Sequence, residues 1–418
     1  MNDTIEKVEA REILSGTGRP TVEVRLSTAR GLKVKASVPS GTSRGVYEAF
    51  ELYDGGDRFR GRGVLRAVEN VNQIIAPVIK GKDVTLQAEI DRTLIELDGT
   101  PNKSRLGGNA ILAVSVACAK AGAESLGISL FRYLGGLRAT RLPLPISTMI
   151  AGGGHSPSKL PFEDYLFLFS GFPTFALALE ALLECRLALG EILKKKFGPV
   201  PEVGGALAPP IHETSQAFDL MLEAAERSGF GDRVALGLDV AASEIYLKDE
   251  DLYCLRNRKL KAADLAEEYT ELAQNYPLDY IEDPFHQDDF AHFAELSAAL
   301  PNKLIVGDDL FVSNPRRLEE GIKKKAGNGL LLKINQVGTV REAIEAACMA
   351  LRNHFEVTVS LRSNETNDDF IADLAVAVGA GQIKLGSPVR GERVAKYNRL
   401  LEIEQDLGKG VMGSTYSS

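Results

Sequence analysis

The chain has no run of apolar residues long enough to span a bilayer, and its opening segment MNDTIEKVEARE lacks the basic-then-apolar pattern of a signal peptide. Both absences lead to the expectation of a cytoplasmic protein that does not engage a membrane. Its four cysteines (Cys118, Cys185, Cys254 and Cys348) are scattered, with no C-x-x-C pair. That excludes a disulfide framework and leaves them as reduced, mostly packing residues. No Pro/Gly/Ser-rich tract and no block of like charge interrupts the sequence, so disorder is confined to loops and the Ser-rich last residues. Positive charge is also in deficit: 49 Lys and Arg against 57 Asp and Glu give a net charge of −8. Such a balance offers no basic footprint for nucleic acid, and an anionic substrate must be held by local cations or a metal.

What is present is an ordinary soluble composition, 44% apolar and 25% charged, over 418 residues. That length is more than one ordinary compact core uses, and the patterning changes partway along. Residues 1–135 begin with strand-like alternation at Thr21–Leu26 and Leu32–Val38, then show helical periodicity at Val64–Pro77, Leu86–Leu97 and Asn109–Leu126. An α+β domain is expected there. Residues 136–418 alternate short β-rich runs with helices of ten to fifteen residues. The runs are Tyr165–Phe169, Val234–Leu238, Leu278–Ile281, Leu304–Val306, Leu330–Leu332, Glu356–Ser360 and Gln382–Leu385. This alternation predicts a parallel sheet buried on both faces. The number of units favours a closed α/β barrel, with an open doubly wound sheet as the alternative that periodicity leaves standing.

The ends of those runs carry the chemistry. Successive runs end at Asp239, at Glu282, at Asp308 and Asp309, at Lys333, and at Arg362 with Ser363. Barrel enzymes assemble their active sites at the C-terminal ends of the strands. Asp239, Glu282 and Asp308 would repel one another if they converged unpaired, and a hard divalent cation such as Mg²⁺, which prefers oxygen donors, resolves the conflict. Lys333 follows one strand later and Lys384 two strands after that. A lysine beside a metal and a second lysine is expected to have a lowered pKa and to serve as a base that removes a proton α to a metal-bound carboxylate.

Longer segments carry a family resemblance. GLDVAASEIY (Gly237–Tyr246), YIEDPF (Tyr280–Phe285), VGDDLFVSNP (Val306–Pro315), LLKINQVG (Leu331–Gly338), RSNETNDDFIADL (Arg362–Leu374), GQIK (Gly381–Lys384) and AKYN (Ala395–Asn398) resemble enolase blocks in enolase order. So do PTVEV (Pro20–Val24), VPSGTSRGVYE (Val38–Glu48), AVENVN (Ala67–Asn72) and NAILAV (Asn109–Val114) on the N-terminal side. The resemblance covers nearly the whole chain. It implies an enolase-type barrel with an N-terminal capping domain, and a hydro-lyase whose reference reaction converts 2-phosphoglycerate to phosphoenolpyruvate. The enolase superfamily is the established example of a Lys or His base working with one or two Mg²⁺ ions. By the same resemblance Asp239, Glu282 and Asp308 bind the first Mg²⁺, and Ser43, in the loop Ser40–Gly45, joins a second. Lys333 is the base, Lys384 holds the substrate carboxylate, Arg362 and Ser363 grip its phosphate, and His155 matches an active-site histidine. A homodimer or larger homo-oligomer in glycolysis is implied as well.

Four segments depart from the family pattern. Where enolases read Gly-Asp-Glu-Gly-Gly before Ala-Pro, this chain reads VPEVGGALAPP (Val200–Pro210), and ungapped alignment puts Gly204 in place of the Glu that helps protonate the departing hydroxyl. Ser-His-Arg-Ser has become Ser360–Leu361–Arg362–Ser363, so a histidine is replaced by Leu361. Gln-Glu-Phe has become Glu163–Asp164–Tyr165, and the closing loop gains Arg44, which is either a substrate contact or a solvated charge. The groups for forming a metal-stabilised carbanion are thus intact, while those for expelling hydroxide are altered. Losing a positioned acid typically costs about 10²–10⁴ in rate, and Asp164 or Glu202 are the candidates to replace it. The alternatives are an enolase paralogue using the same chemistry on another leaving group, and a silent enolase-fold binding protein.

Overall fold

The computed structural model describes residues 3–41, 45–154, 156–256, 258–408 and 412. Its N-terminal part opens with an antiparallel sheet of β1 (Ile5–Leu14), β2 (Pro20–Thr28) and β3 (Lys33–Ser37), in the order β1-β2-β3. β2 lies in the middle and is buried along most of its length, whereas β1 alternates buried and exposed residues. Helix α2 (Gly108–Leu126) packs on β2 and β3, and helix α1 (Gln87–Asp98) packs on α2. The Ala-rich sequence of α2 explains its central place, because small side chains let it pack closely on several sides, and nearly all its residues are buried. The Asn109 side chain fixes its start by accepting from the Leu52 backbone N–H and donating to the Leu52 carbonyl, both at 3.1 Å.

The remainder forms a closed eight-stranded barrel. Its strands are β4 (Leu144–Ala151), β5 (Asp164–Phe169), β8 (Val234–Asp239), β9 (Leu278–Glu282), β10 (Leu304–Gly307), β11 (Gly329–Leu332), β12 (Glu356–Ser360) and β13 (Gln382–Lys384). They pair in that order, and β13 closes on β4. A two-strand hairpin of β6 (Glu202–Val203) and β7 (Ala206–Leu207) attaches beside β4. Side chains from several strands, including Ile146, Leu166, Leu168, Tyr280, Val306 and Leu331, fill the barrel interior. The barrel is therefore a packed core and not a pore.

The expectation of an all-parallel sheet needs one correction: β5 runs antiparallel to both its neighbours, β4 and β8. Among the described residues the connection from β4 to β5 contains no helix, and a parallel return requires a crossover that this short segment does not supply. The reversal matters for function. It brings the first residue of β5, Asp164, opposite Asp239 at the last residue of β8, so a strand's start delivers a carboxylate to the rim that the other strands reach with their C-terminal ends.

The N-terminal part also reaches this rim. Ser40 and Asn364 exchange backbone hydrogen bonds, Thr17 Oγ1 donates to Asn364 Oδ1 at 2.6 Å, and Lys103 pairs with Glu342 at 2.8 Å.

Candidate active site

A cleft of about 490 Å³ opens at the C-terminal rim of the barrel. Glu163, Asp164, Asp239, Asp308, Lys333, Arg362, Ser363 and Lys384, all named from the sequence, line it. Glu282 lies fully buried among them, bonded to Lys384. Ser43, Arg44 and His155 lie outside the described residues.

Each charge is placed by a strand end. Lys384, the last residue of β13, bridges two carboxylates, with Nζ 2.7 Å from Asp239 Oδ2 and 2.8 Å from Glu282 Oε2. It lies 4.0 Å from Asp164 Oδ2, to which Thr148 Oγ1 donates at 3.1 Å. Lys333, directly after β11, pairs with Asp308, whose other oxygen accepts from Gln336 Nε2 at 2.8 Å. Arg362 donates to both oxygens of Glu48, at 2.8 and 3.3 Å.

The electrostatics follow from burial and these pairings. Burial, and then Asp239, push Glu282 up to about 8 although Lys384 opposes the shift. Glu163 is raised well above the carboxylate range by burial and by its neighbours Asp239 and Asp164, and Asp164 is raised chiefly by burial. Burial works against the charge of Asp308 too, yet Lys333 and Arg362 bring it below its ordinary value. The sequence expectation of lowered lysine values applies with a metal beside them; with the carboxylates alone, both lysines are raised. Burial alone would lower both, but Asp308 holds Lys333 above its ordinary value, and Asp239 with Glu282 holds Lys384 well above. The physical reason is that each ammonium sits directly on the carboxylates that were expected to face a metal.

Two groups of carboxylates could hold a cation. Oxygens of Asp283, Asp308 and Asp309 approach within 4.8 Å of one another, but the Asp283 carboxylate is already engaged by the backbone N–H groups of Asp308 and Asp309, at 2.9 and 2.8 Å. Asp283 is therefore a brace for the strand end after β10. The set Asp239, Glu282 and Asp308 fits a hard divalent cation better. Among the described residues Glu282 Oε1 is buried without a hydrogen-bond partner, while Oε2 takes both Lys384 and the Tyr280 hydroxyl. A buried carboxylate oxygen left unpaired costs free energy that a cation ligand would offset.

Glu202, a candidate to replace the acid missing at Gly204, does not reach the cleft. It stands exposed on the β6–β7 hairpin and pairs with Arg186 at 2.8 Å, while Val203, Gly204 and Ala206 form the cleft wall. Leu361 lines the cleft as expected. Asp309, one of the strand-end charges, lines the cleft as well, whereas sequence reasoning missed Arg393 and Glu48 as cleft residues. Glu48 closes the quoted block VPSGTSRGVYE, and Arg393 directly precedes the segment around AKYN in a helix that opens just beyond the last barrel strand; that position was the available signal.

A barrel rim bearing converging carboxylates and two buried lysines defines a class, the acid–base barrel enzymes whose site is built from strand ends. Comparison with known proteins narrows it. The family model "Enolase, C-terminal TIM barrel domain" matches residues 139–416, and "Enolase, N-terminal domain" matches residues 5–134. Similar curated proteins named Enolase come from Methanopyrus kandleri (52% identical, covering 96% of each chain), Methanothrix thermoacetophila (50%, covering 98% of this chain and 97% of that one) and Pyrococcus furiosus (48%, covering 96% and 94%). The chain belongs to the enolase family.

Proposed function

We propose that this protein is an enolase-type hydro-lyase in which Lys333 removes the α-proton of a phosphorylated hydroxy acid, with 2-phosphoglycerate to phosphoenolpyruvate and water as the reference reaction. The observation that carries the reading is the cluster at the rim: Lys333 on Asp308, and Lys384 on Asp239 and Glu282, with one Glu282 oxygen unpartnered among the described residues.

Asp239, Glu282 and Asp308 would hold Mg²⁺, and Ser43 would join a second ion. Bound Mg²⁺ would supply positive charge that competes for Asp308, lowers the proton affinity of Lys333 and stabilises the ene-diolate form of the substrate. Lys333 then takes the α-proton, and the C–H electron pair passes into the substrate carboxylate. That pair returns to form the C=C bond as the C–O bond at the next carbon breaks. The departing oxygen leaves with the C–O pair and takes a proton to become water. Asp164 is the donor in this reading, supported by Glu163 beside it, since burial raises both acids toward the protonated form. Lys384 holds the substrate carboxylate, Arg362 and Ser363 grip the phosphate, and His155 and Arg44 complete the site. The same reading divides the chain into a capping domain (1–135) and a barrel domain (136–418). It places the enzyme in glycolysis in the cytoplasm, as a homodimer or larger homo-oligomer. Among the described residues no single helix is long and apolar enough to cross a membrane.

Calorimetric titration of Mg²⁺ tests the metal set. Asp308→Asn should bind at least about tenfold more weakly than wild type. Equal affinity would remove Asp308 from the site.

A further inference from the structure

Three of the buried cations lining the cleft are paired with carboxylates: Lys333 with Asp308, Lys384 with Asp239 and Glu282, and Arg362 with Glu48. Arg393 is not. It extends from the first turn of α4 (Gly391–Leu407) into the cleft wall, and among the described residues its guanidinium makes no hydrogen bond and no ion pair.

Two glycines clear the space it occupies. A β carbon at Gly204 would lie 2.7 Å from Arg393 Nη2, and one at Gly386 would collide with Nη1. Both glycines hold positive φ, +57° and +66°, and so shape the turns around the guanidinium as well as making room for it. Asp164 is the nearby carboxylate that acts on it most strongly. A largely buried guanidinium left without a partner is costly in the resting protein, and its cost falls when an anion arrives.

We propose that Arg393 is a catalytic residue of the dehydration step, whose guanidinium hydrogen-bonds the departing oxygen and takes up its developing negative charge. This deepens the enolase reading and rests on it. The C–O bond breaks with its electron pair on oxygen, the proton comes from Asp164, and water leaves. A guanidinium stays protonated throughout, so Arg393 acts by charge and orientation and donates no proton to the product. The contact belongs to the transition state, and it serves the second half of the reaction only.

The test uses the full chain with Mg²⁺ and 2-phosphoglycerate, reading dehydration (kcat and KM), solvent exchange of the α-proton, and Tm. Arg393→Met should lower kcat for dehydration about 10²–10³-fold while KM and α-proton exchange stay within about threefold. Arg393→Lys, which keeps the charge but loses the planar fork, should recover part of that loss. A dehydration rate in Arg393→Met within twofold of wild type overturns the proposal. So does a rise in KM alone, which would put the contact in the ground state. A joint fall of dehydration, exchange and Tm without rescue by Arg393→Lys would make the residue structural and overturn it as well. Wild-type protein that exchanges no α-proton would sink the enolase reading itself and this proposal with it.

Discussion

Gly204 occupies the turn between β6 and β7 at φ +57°, with Arg393 against the face where a side chain would begin. Alignment from the sequence marks it only as the position of an absent acid. The structure gives the glycine two tasks of its own, a left-handed turn and room for a guanidinium. Gly204→Ala should therefore cost about 1–2 kcal/mol, from the left-handed backbone together with a contact that the flexible end of Arg393 relieves by shifting. Urea unfolding measures this, and an unchanged midpoint would contradict the account. Restoring the family residue with Gly204→Glu should not raise dehydration, because the new carboxylate would meet Arg393 before it could meet substrate. At the same scale, Glu282 and Lys384 show why the site asks for a metal: Oε2 of Glu282 takes Lys384 and the Tyr280 hydroxyl, and Oε1 has no hydrogen-bond partner among the described residues.

Secondary elements differ in how much of their placement is written locally. β8 to β12 are legible because each is a short apolar run that stops at a charged or polar residue, and they are buried along most of their length. β1 is hidden by its alternating charges, Glu6, Lys7, Glu9, Arg11 and Glu12, which read as polar chain until β2 is there to pair with it. β4 is hidden by Pro143 and Pro145 around its start, although it is buried throughout. The direction of β5 is a property of its connection and of both neighbours, so periodicity could not give it. Arg393 lies on a helix and not at a strand end, and only the tertiary fold brings it to the rim. Between elements, Asp91 on α1 meets the first turn of α3 (Val340–Arg352), accepting from the Arg341 backbone N–H at 2.9 Å and from the Ser115 hydroxyl at 2.6 Å. Burial raises it from 3.8 to about 6, against those hydrogen bonds. The folded protein then holds this proton more tightly than the unfolded chain does. Its stabilising contribution is complete below about pH 4 and is lost as pH rises through about 6, roughly 3 kcal/mol in all. Asp91→Asn should flatten the fall in stability between about pH 4 and 6.5 relative to wild type, as read from urea midpoints. An unchanged slope would show that Asp91 does not carry that proton.

At the scale of the whole molecule, the acidic balance of −8 means that anion binding cannot come from the overall field and must be built locally. The fold does this by closing an eight-stranded barrel so that residues far apart in sequence, from Glu48 to Arg393, face one cleft, and by laying the N-terminal part against its rim. Proton abstraction and leaving-group departure then draw on different walls of the cleft: Lys333 with Asp308 for the first, Asp164 with Arg393 for the second. This division is the central claim, and its first half is the more directly measurable. Wild type and Lys333→Met should be incubated in deuterated buffer with Mg²⁺ and 2-phosphoglycerate, and loss of the α-proton signal followed by NMR. The account predicts exchange by wild type and a loss of at least about 10²-fold in Lys333→Met, with Tm and Mg²⁺ binding retained. Exchange by Lys333→Met at the wild-type rate would contradict it.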